Sequence, residues 1–198
     1  MKKSILIVFV NLFLVYPVLA GDEVRPISQE KTSESLETGI FLIRHAERDA
    51  GEDPPLNDKG KKRAKVLADV FADSGITAIF CTDYIRNRQT ALPLAKRLGL
   101  DIQVLPDSLT QDTDVLTKYF IQHILPEHHG GVILFIGNQK SDIKTQFGNL
   151  QALYRGLGGK RIPLTRYFDV HHIIRKGDET VRIIHSTYGD TGNLKKNH

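Results

Sequence analysis

The chain has 198 residues, of which 40% are hydrophobic and 25% charged, a composition typical of an ordinary globular domain that excludes disordered and fibrous classes. No internal repeat of about 20–50 residues is present, which excludes solenoid folds. The formal charge of +4 comes with no basic stripe interleaved with aromatic residues, so we expect no nucleic-acid partner, and a single cysteine excludes an intrachain disulfide framework.

The first twenty residues, 1–20, predict a secretory signal peptide. Lys2 and Lys3 give a basic start, an almost unbroken apolar run covers residues 5–18, and small residues precede Gly21. A helix of that run would span only about 21 Å, short of a hydrocarbon core of roughly 30 Å, so we expect cleavage rather than a membrane anchor. The mature protein is therefore expected to be secreted or periplasmic, with no stable membrane insertion.

Residues 21–38 are polar and lack a sustained apolar period, which predicts a flexible segment before a single domain at 39–198. Three short apolar runs in that domain are rich in β-branched residues and predict strands buried on both faces of a parallel sheet. These runs are residues 40–43, 76–80 and 132–136. Such strands need helices on both sides of the sheet.

Two helices are predicted from apolar stripes at helical spacing. The first begins at an N-cap, Asn57 or Asp58, and its basic cluster at residues 59–65, which includes Arg63, is expected on the solvated face. The second ends at Gly99, a residue suited to the left-handed position after a helix.

The remaining elements complete an alternating pattern. Helices are predicted at 114–124, ending at Pro126, and at 141–157; a short strand is predicted near 102–104, and strands at 166–174 and 180–185 form a hairpin. The order of elements predicts a three-layer α/β/α sandwich with a mainly parallel central sheet. Its ligand site is expected beyond the carboxyl ends of the parallel strands.

Polar residues follow the three clearest strands at that edge. Arg44 and His45 follow the first, residues 81–86 the second, and Gly137-Asn138 the third, so we expect these groups to converge. An arginine can hold two phosphate oxygens while an adjacent histidine attacks phosphorus. Arg86 at a helix start would add a second anion-binding element.

These motifs, in this order, resemble the histidine phosphatase superfamily, also called phosphoglycerate-mutase-like or branch 1. Residues 41–47 (FLIRHAE) are similar to its R-H-[GA]-[ED] signature, residues 56–60 (LNDKG) to its L-[ST]-x-x-G helix start, and residues 86–91 (RNRQTA) to its R-[AT]-x-x-T-A segment. The resemblance extends over about residues 39–190 and is to the small secreted members. It implies the phosphoglycerate-mutase-like fold.

The resemblance also implies a mechanism. His45 is the nucleophile that forms a phosphohistidine, and Arg44 and Arg86 neutralise the phosphoryl oxygens. A carboxylic acid must protonate the leaving group, and Asp107 is slightly favoured for this role over Glu47. No metal and no cofactor are expected.

One departure bears on activity, because Asn138 stands where the family has a second histidine. The sequence therefore indicates an exported phosphatase that is impaired, or alternatively a weak or inactive pseudophosphatase that binds a phosphorylated ligand. The partner is a small phosphorylated substrate in either case, and a mutase is less expected. The substrate-binding candidates are Arg44, Glu47, Asn57, Arg86 and Asn138.

Other histidines and the cysteine offer weaker alternatives. Five histidines are candidates to replace the missing one: His128, His129, His171, His172 and His185. The first two and His185 do not stand at the carboxyl end of a strand aimed at the pocket. His171 and His172 alternate across a strand and cannot both face one ligand. Cys81 is separated from Arg86 by four residues, which does not match the C-x₅-R loop of cysteine phosphatases. A buried thiol at a strand end is the favoured interpretation.

Overall fold

The computed structural model describes residues 36–139, 148–160 and 166–189. Within these ranges six strands form one sheet: Glu37–Arg44 (β1), Ala78–Thr82 (β2), Ile102–Leu105 (β3), Val132–Gly137 (β4), Asp169–Lys176 (β5) and Glu179–Thr187 (β6). The helices in the same ranges are Asp58–Val70 (α1), Ile85–Leu98 (α2), Asp107–Thr110 (α3), Thr113–Tyr119 (α4), Leu125–Glu127 (α5) and Asn149–Gly156 (α6). A π-helical segment, Phe120–Ile124, joins α4 to α5.

The sheet is mixed, with the order β3-β2-β4-β1-β5-β6. The strands β3, β2, β4 and β1 run parallel, whereas β5 pairs antiparallel with β1, and β6 pairs antiparallel with β5. The prediction of a mainly parallel sheet is confirmed for four strands, and the predicted hairpin is confirmed as β5-β6. Because β4 lies between β1 and β2, the carboxyl ends of these three strands are neighbours.

Helices cover both faces of the sheet, which confirms the predicted three-layer sandwich. One apolar core joins the sheet to α1 and α2 and contains Ile43 and Leu67. The other joins the opposite face to α4, the π-helical segment and α6 and contains Leu42 and Phe120. Leu42 and Ile43 are adjacent on β1 and point to opposite faces, as successive strand residues must.

The helix ends follow the predicted capping. Asn57 caps α1, its Oδ1 accepting a hydrogen bond of 3.0 Å from the Gly60 backbone N–H. Gly99 ends α2 with φ of 67°, in the left-handed region. The predicted helix end at Pro126 is one residue early, because the helical stretch continues from the π-helical segment through α5 to Glu127.

Two predicted boundaries change at the edges of the described ranges. The strand β1 begins at Glu37, so residues 37 and 38 do not belong to the flexible segment; they pair with Lys176 and Arg175 of β5. The predicted signal peptide at 1–20, the segment up to residue 35, and residues 141–147 of the fourth predicted helix lie outside the described residues. No helix within the described ranges is long and apolar enough to cross a bilayer.

Candidate active site

The structure brings together residues that are distant in sequence at the carboxyl ends of β1, β2 and β4. The His45 backbone N–H donates to the Gly137 carbonyl oxygen at 3.1 Å, which fixes the residue after β1 beside the end of β4. The Arg86 side chain donates to Asn138 Oδ1 at 3.1 Å, which joins the start of α2 to the same point. Arg44 leads into this cluster as the last residue of β1.

His45 is buried and uncharged at this edge of the sheet. Its side chain is buried, and Nδ1 lies 2.8 Å from the Ala46 carbonyl oxygen. Because a carbonyl oxygen only accepts, Nδ1 carries the proton and Nε2 keeps its lone pair. The pKa of His45 is lowered to about 3, mainly by burial. The hydrogen bond to Ala46 raises this pKa, whereas the charges of three arginines lower it: Arg44, Arg86 and Arg48. His45 is therefore neutral at physiological pH.

The two predicted arginines are each held on more than one side. Arg44 donates to Gln139 Oε1 at 2.7 Å and lies under the Tyr167 ring. Arg86 is buried, and its Nη1 donates to Asp53 Oδ1 at 3.0 Å while Nη2 donates to Asn138. Fixed guanidinium groups of this kind are suited to binding an anion without rearrangement.

Asn138 orients Arg86 and carries no charge of its own. The side chain is 2% exposed, its Oδ1 accepts from Arg86, and its Nδ2 donates to Thr82 Oγ1 at 3.0 Å. The amide oxygen must face Arg86, because a guanidinium group has only donors. The backbone N–H of Asn138 donates to Asn149 Oδ1 at 2.7 Å, which fixes the residue itself.

Glu47 is committed to a buried ion pair with Arg63. Arg63 Nε and Nη2 donate to the Glu47 carboxylate at 2.7–2.9 Å. Burial alone would raise the pKa of Glu47, but the hydrogen bonds from Arg63 and from its own backbone N–H hold that pKa below the ordinary value. The carboxyl group therefore stays ionised and is poorly suited to donate a proton.

The position of Arg63 corrects the sequence analysis, which placed it on the solvated face. Arg63 is only 5% exposed. It lies four residues before the buried Leu67 and so shares the inner face of α1. Gly60 lets that helix approach closely, since a Cβ there would overlap the Glu47 carbonyl oxygen.

Asp107 and Asn57 lie at the margins of the cluster. Asp107 is the exposed first residue of α3, at the same sheet edge as Thr82, because Leu105 pairs with Thr82. The Asn57 side chain caps α1 and donates to Asp49 Oδ1 at 3.3 Å. These contacts stabilise the start of α1 and the loop before it, and they give no support for the prediction that Asn57 contacts the substrate.

The loop after β1 contributes two residues that the sequence analysis missed. Arg48 is half-buried, donates to the carbonyl oxygens of Asp49 and Gly51, and adds positive charge beside His45. Asp53 accepts from Arg86 and from the first backbone N–H of α2, at 3.1 Å. Arg48 could have been identified from the sequence by its position three residues after His45. The contact of Asp53 with Arg86 could not, because it depends on the path of the loop.

Tyr84, Gln139 and Tyr167 were also missed. Tyr84 precedes α2 and lies under Arg86, and Gln139 follows Asn138. Tyr167 precedes β5, and because β5 runs antiparallel to β1, its start lies beside the end of β1. The usable signal for Tyr167 was that its strand was predicted to form a hairpin at the edge of the sheet, where an antiparallel strand can begin beside the end of β1.

The weaker alternatives are not supported. Cys81 is fully buried, and burial raises its pKa to about 12, so the thiol is protonated and inaccessible. His171 stacks on His185, and His172 stacks on Phe41 from the other face of the sheet. Among the described residues no group of three or more His, Cys, Asp or Glu side chains is arranged to bind a metal.

Residues 40–109 match the sequence profile of the histidine phosphatase superfamily (branch 1). This stretch, about a third of the chain, is therefore similar to the histidine phosphatase superfamily, branch 1. It is 33% identical over 99 residues to the probable phosphoglycerate mutase GpmB of Enterobacter sp. (strain 638), a match covering 46% of each chain. The chain thus spans just under half the length of this curated relative.

Solved structures of two phosphatases share the fold. The protein histidine phosphatase SixA complexed with tungstate is 19% identical, with a TM-score of 0.59 over 75% of this chain and 96% of that one. A mycobacterial glucosyl-3-phosphoglycerate phosphatase is 15% identical, with a TM-score of 0.54 over 77% of this chain and 98% of that one. The phosphoglycerate-mutase-like α/β fold is confirmed.

The buried histidines should make the protein less stable in mild acid. His45 and His171 have pKa values lowered by burial to about 3 and about 4, well below the unfolded value near 6.5. As pH falls below about 6.5 the unfolded chain takes up protons that the folded chain does not, so stability falls until the folded pKa values are reached. Urea unfolding at about pH 7.5, 6.5 and 5.5 should show the loss.

Matched variants identify the histidines responsible. His45→Asn and His171→Asn should each flatten the decline between about pH 6.5 and 5, whereas His172→Asn should flatten it less, because His172 is less buried. A decline that none of the variants changes would contradict the assignment.

Proposed function

We propose that the protein is an exported phosphomonoesterase that acts through a phosphohistidine on His45. The observation that carries the proposal is a neutral His45 whose Nε2 keeps its lone pair among the positive charges of Arg44, Arg48 and Arg86. A nucleophile and a cationic surround are the two requirements for attack on a phosphate dianion. The names of the related proteins, which include phosphatases and a probable mutase, fit this chemistry.

The reaction has two displacements. His45 Nε2 forms a bond to phosphorus as the ester P–O bond breaks, and Arg44 and Arg86 balance the charge on the phosphoryl oxygens. Water then attacks the phosphohistidine and gives its proton to the Asp107 carboxylate, which the first step left without one. The P–N bond breaks, and the imidazole recovers its lone pair while inorganic phosphate leaves. Asn138 contributes by keeping Arg86 in place.

Arg86 provides a test with a matched control on the same helix. Arg86→Leu should reduce kcat/KM for phenyl phosphate by about 10²–10³-fold, because a buried donor to the transition state is lost. Arg88→Leu should change it less than about twofold, since Arg88 is exposed and pairs with Asp83. Equal losses in both variants, measured by phosphate release, would argue against this site.

We assign the leaving-group proton to Asp107, because Glu47 is held as a carboxylate by Arg63. Asp107→Asn should lower kcat for an alkyl phosphate by about 10²-fold and leave p-nitrophenyl phosphate nearly unchanged, since nitrophenolate leaves without a proton. Asp101→Asn, at the opposite end of β3, is the control. If Glu47→Gln, rather than Asp107→Asn, lowers kcat for the alkyl phosphate alone, Glu47 is the general acid and the assignment to Asp107 is wrong.

Asn138 favours a second candidate function, a pseudophosphatase that binds a phosphorylated ligand. Its amide supplies no positive charge where the family pattern has histidine, and loss of a comparable donor costs about 10²–10³-fold in rate. Calorimetry with orthovanadate distinguishes the two. Binding that depends on Arg44 and Arg86 in a protein without turnover would favour the pseudophosphatase.

Export rests on the apolar run at residues 5–18. We expect the protein recovered from the periplasm or medium of its host to begin near Gly21. Mass spectrometry of the intact protein tests this, and a cell-associated chain that retains Lys2 and Lys3 would contradict it.

A further inference from the structure

Each arginine of the anion site carries a tyrosine ring on its planar face. Arg44 Cζ lies 4.2 Å from the centroid of the Tyr167 ring, and Arg86 Cζ lies 4.1 Å from the centroid of the Tyr84 ring. Both tyrosines are half-buried, so part of each ring is accessible. Nothing in the binding of a bare phosphate requires these rings.

Both rings lie against the faces of the guanidinium groups, and the Tyr167 hydroxyl also accepts a long hydrogen bond, 3.4 Å, from Arg44 Nη2. A guanidinium group donates its hydrogen bonds in its plane, to oxygens at its edge, and stacks on aromatic rings through its face. The Tyr167 ring is also 5.7 Å from the His45 ring, centroid to centroid. An anion held at the guanidinium edges beside His45 would therefore have an aromatic ring near each side.

The topology places the two tyrosines on opposite sides of the nucleophile. Tyr84 comes from the loop between β2 and α2, and Tyr167 from the turn before β5. In the order β2-β4-β1-β5, these elements lie on either side of the ends of β4 and β1, where Asn138 and His45 are located. In-line attack requires the leaving group to point away from His45.

We propose that the site is specific for monoesters with an aromatic leaving group, that is, aryl phosphates, an inference that rests on the proposed phosphatase function. The two rings form a leaving-group subsite in which an aryl group stacks on the accessible part of Tyr84 or Tyr167. Stacked or edge-on aromatic pairs are stabilised beyond the burial of their area, whereas an alkyl or sugar group gains less from such walls.

The test measures binding without turnover, using phenylphosphonate and methylphosphonate as non-hydrolysable probes at a pH where both are dianions. Wild type should bind phenylphosphonate at least about tenfold more tightly. Tyr84→Leu and Tyr167→Leu should each lower that preference by about 3–10-fold, because they weaken phenylphosphonate binding more than methylphosphonate binding. Tyr167→Phe keeps the ring and should keep the preference, and Tyr119→Leu on α4 is a remote control.

The outcomes separate this inference from the proposed function. Equal affinity for the two probes in wild type, or a preference that both leucine variants retain, would overturn the aromatic subsite even if the enzyme hydrolyses phosphate esters. Equal weakening of both probes by the leucine variants would also overturn it, because the rings would then serve only to position the arginines. A ring-dependent preference in a protein without turnover would support the subsite while contradicting the phosphatase.

Discussion

Replacement of His45 with alanine will reduce the hydrolysis of phenyl phosphate by about 10⁴–10⁶-fold, the range expected when a covalent nucleophile is removed. Arg44 and Arg86 would still bind the phosphoryl group, but the variant would lack the nucleophilic nitrogen, Nε2 of His45. Steady-state release of inorganic phosphate measures the effect. Orthovanadate binding should persist at reduced strength, which shows that the variant is folded.

Two further variants sharpen the test of His45. His45→Gln fills the same space without a nucleophilic ring nitrogen and should be as inactive as the alanine variant. His171→Ala removes another buried histidine, one that stacks on His185 away from the arginines, and should retain most of the turnover per folded molecule. Retention of more than about a tenth of wild-type activity by His45→Ala would contradict a nucleophilic role.

Replacement of Glu47 with leucine will lower the free energy of unfolding by about 3–5 kcal/mol, because it leaves the Arg63 guanidinium buried without its carboxylate partner. Lys59, which lies 3.6 Å from Glu47, is largely exposed and adds little to the pair. Urea unfolding monitored by circular dichroism measures the change.

The ion pair can be separated from other effects of the substitution by a double variant. Glu47→Leu with Arg63→Leu removes both charges and should recover most of the lost stability, as apolar replacements of buried pairs commonly do. The exposed pair of Asp69 and Arg97 is the control, and Asp69→Asn should cost less than about 1 kcal/mol. A double variant as unstable as Glu47→Leu would show that Glu47 acts through some other contact.

The central features of the fold could be predicted from the sequence because its local signals agree with one another. The apolar runs of β1 and β4 are too short and too rich in β-branched residues for buried helices, and Gly99 marks a helix end. Once the strands are parallel, chain geometry alone brings Arg44, His45 and Arg86 to one edge. Their convergence therefore followed from residues in the strands and immediately after them.

Arg63 shows where the local pattern is insufficient. Four lysines surround it in residues 59–65, and an average over that segment predicts a solvated face. Its burial depends on a partner sixteen residues earlier, Glu47, whose position is set by the loop after β1. A charge is buried only where its counter-charge meets it, which is a property of the tertiary structure.

The same reasoning applies to Asn138, Asp53 and Tyr167. The sequence places Asn138 at the site, but the direction of its amide depends on Arg86 and Thr82, which belong to other elements. Asp53 and Tyr167 reach the arginines from a loop and a turn, where no hydrophobic period fixes the path of the chain. The convergence of Arg44, His45 and Arg86 could thus be predicted from strand ends, whereas the residues that contact the arginines from loops and turns could not.

Trapping the phosphoenzyme is the most direct measurement of the central claim. Protein mixed with phenyl phosphate and quenched in alkali, where phosphohistidine is stable, should carry one phosphoryl group on the peptide containing His45 when examined by mass spectrometry. The label should be lost in acid and absent from His45→Gln. Full turnover with no label on His45, or a label on another residue, would contradict the mechanism.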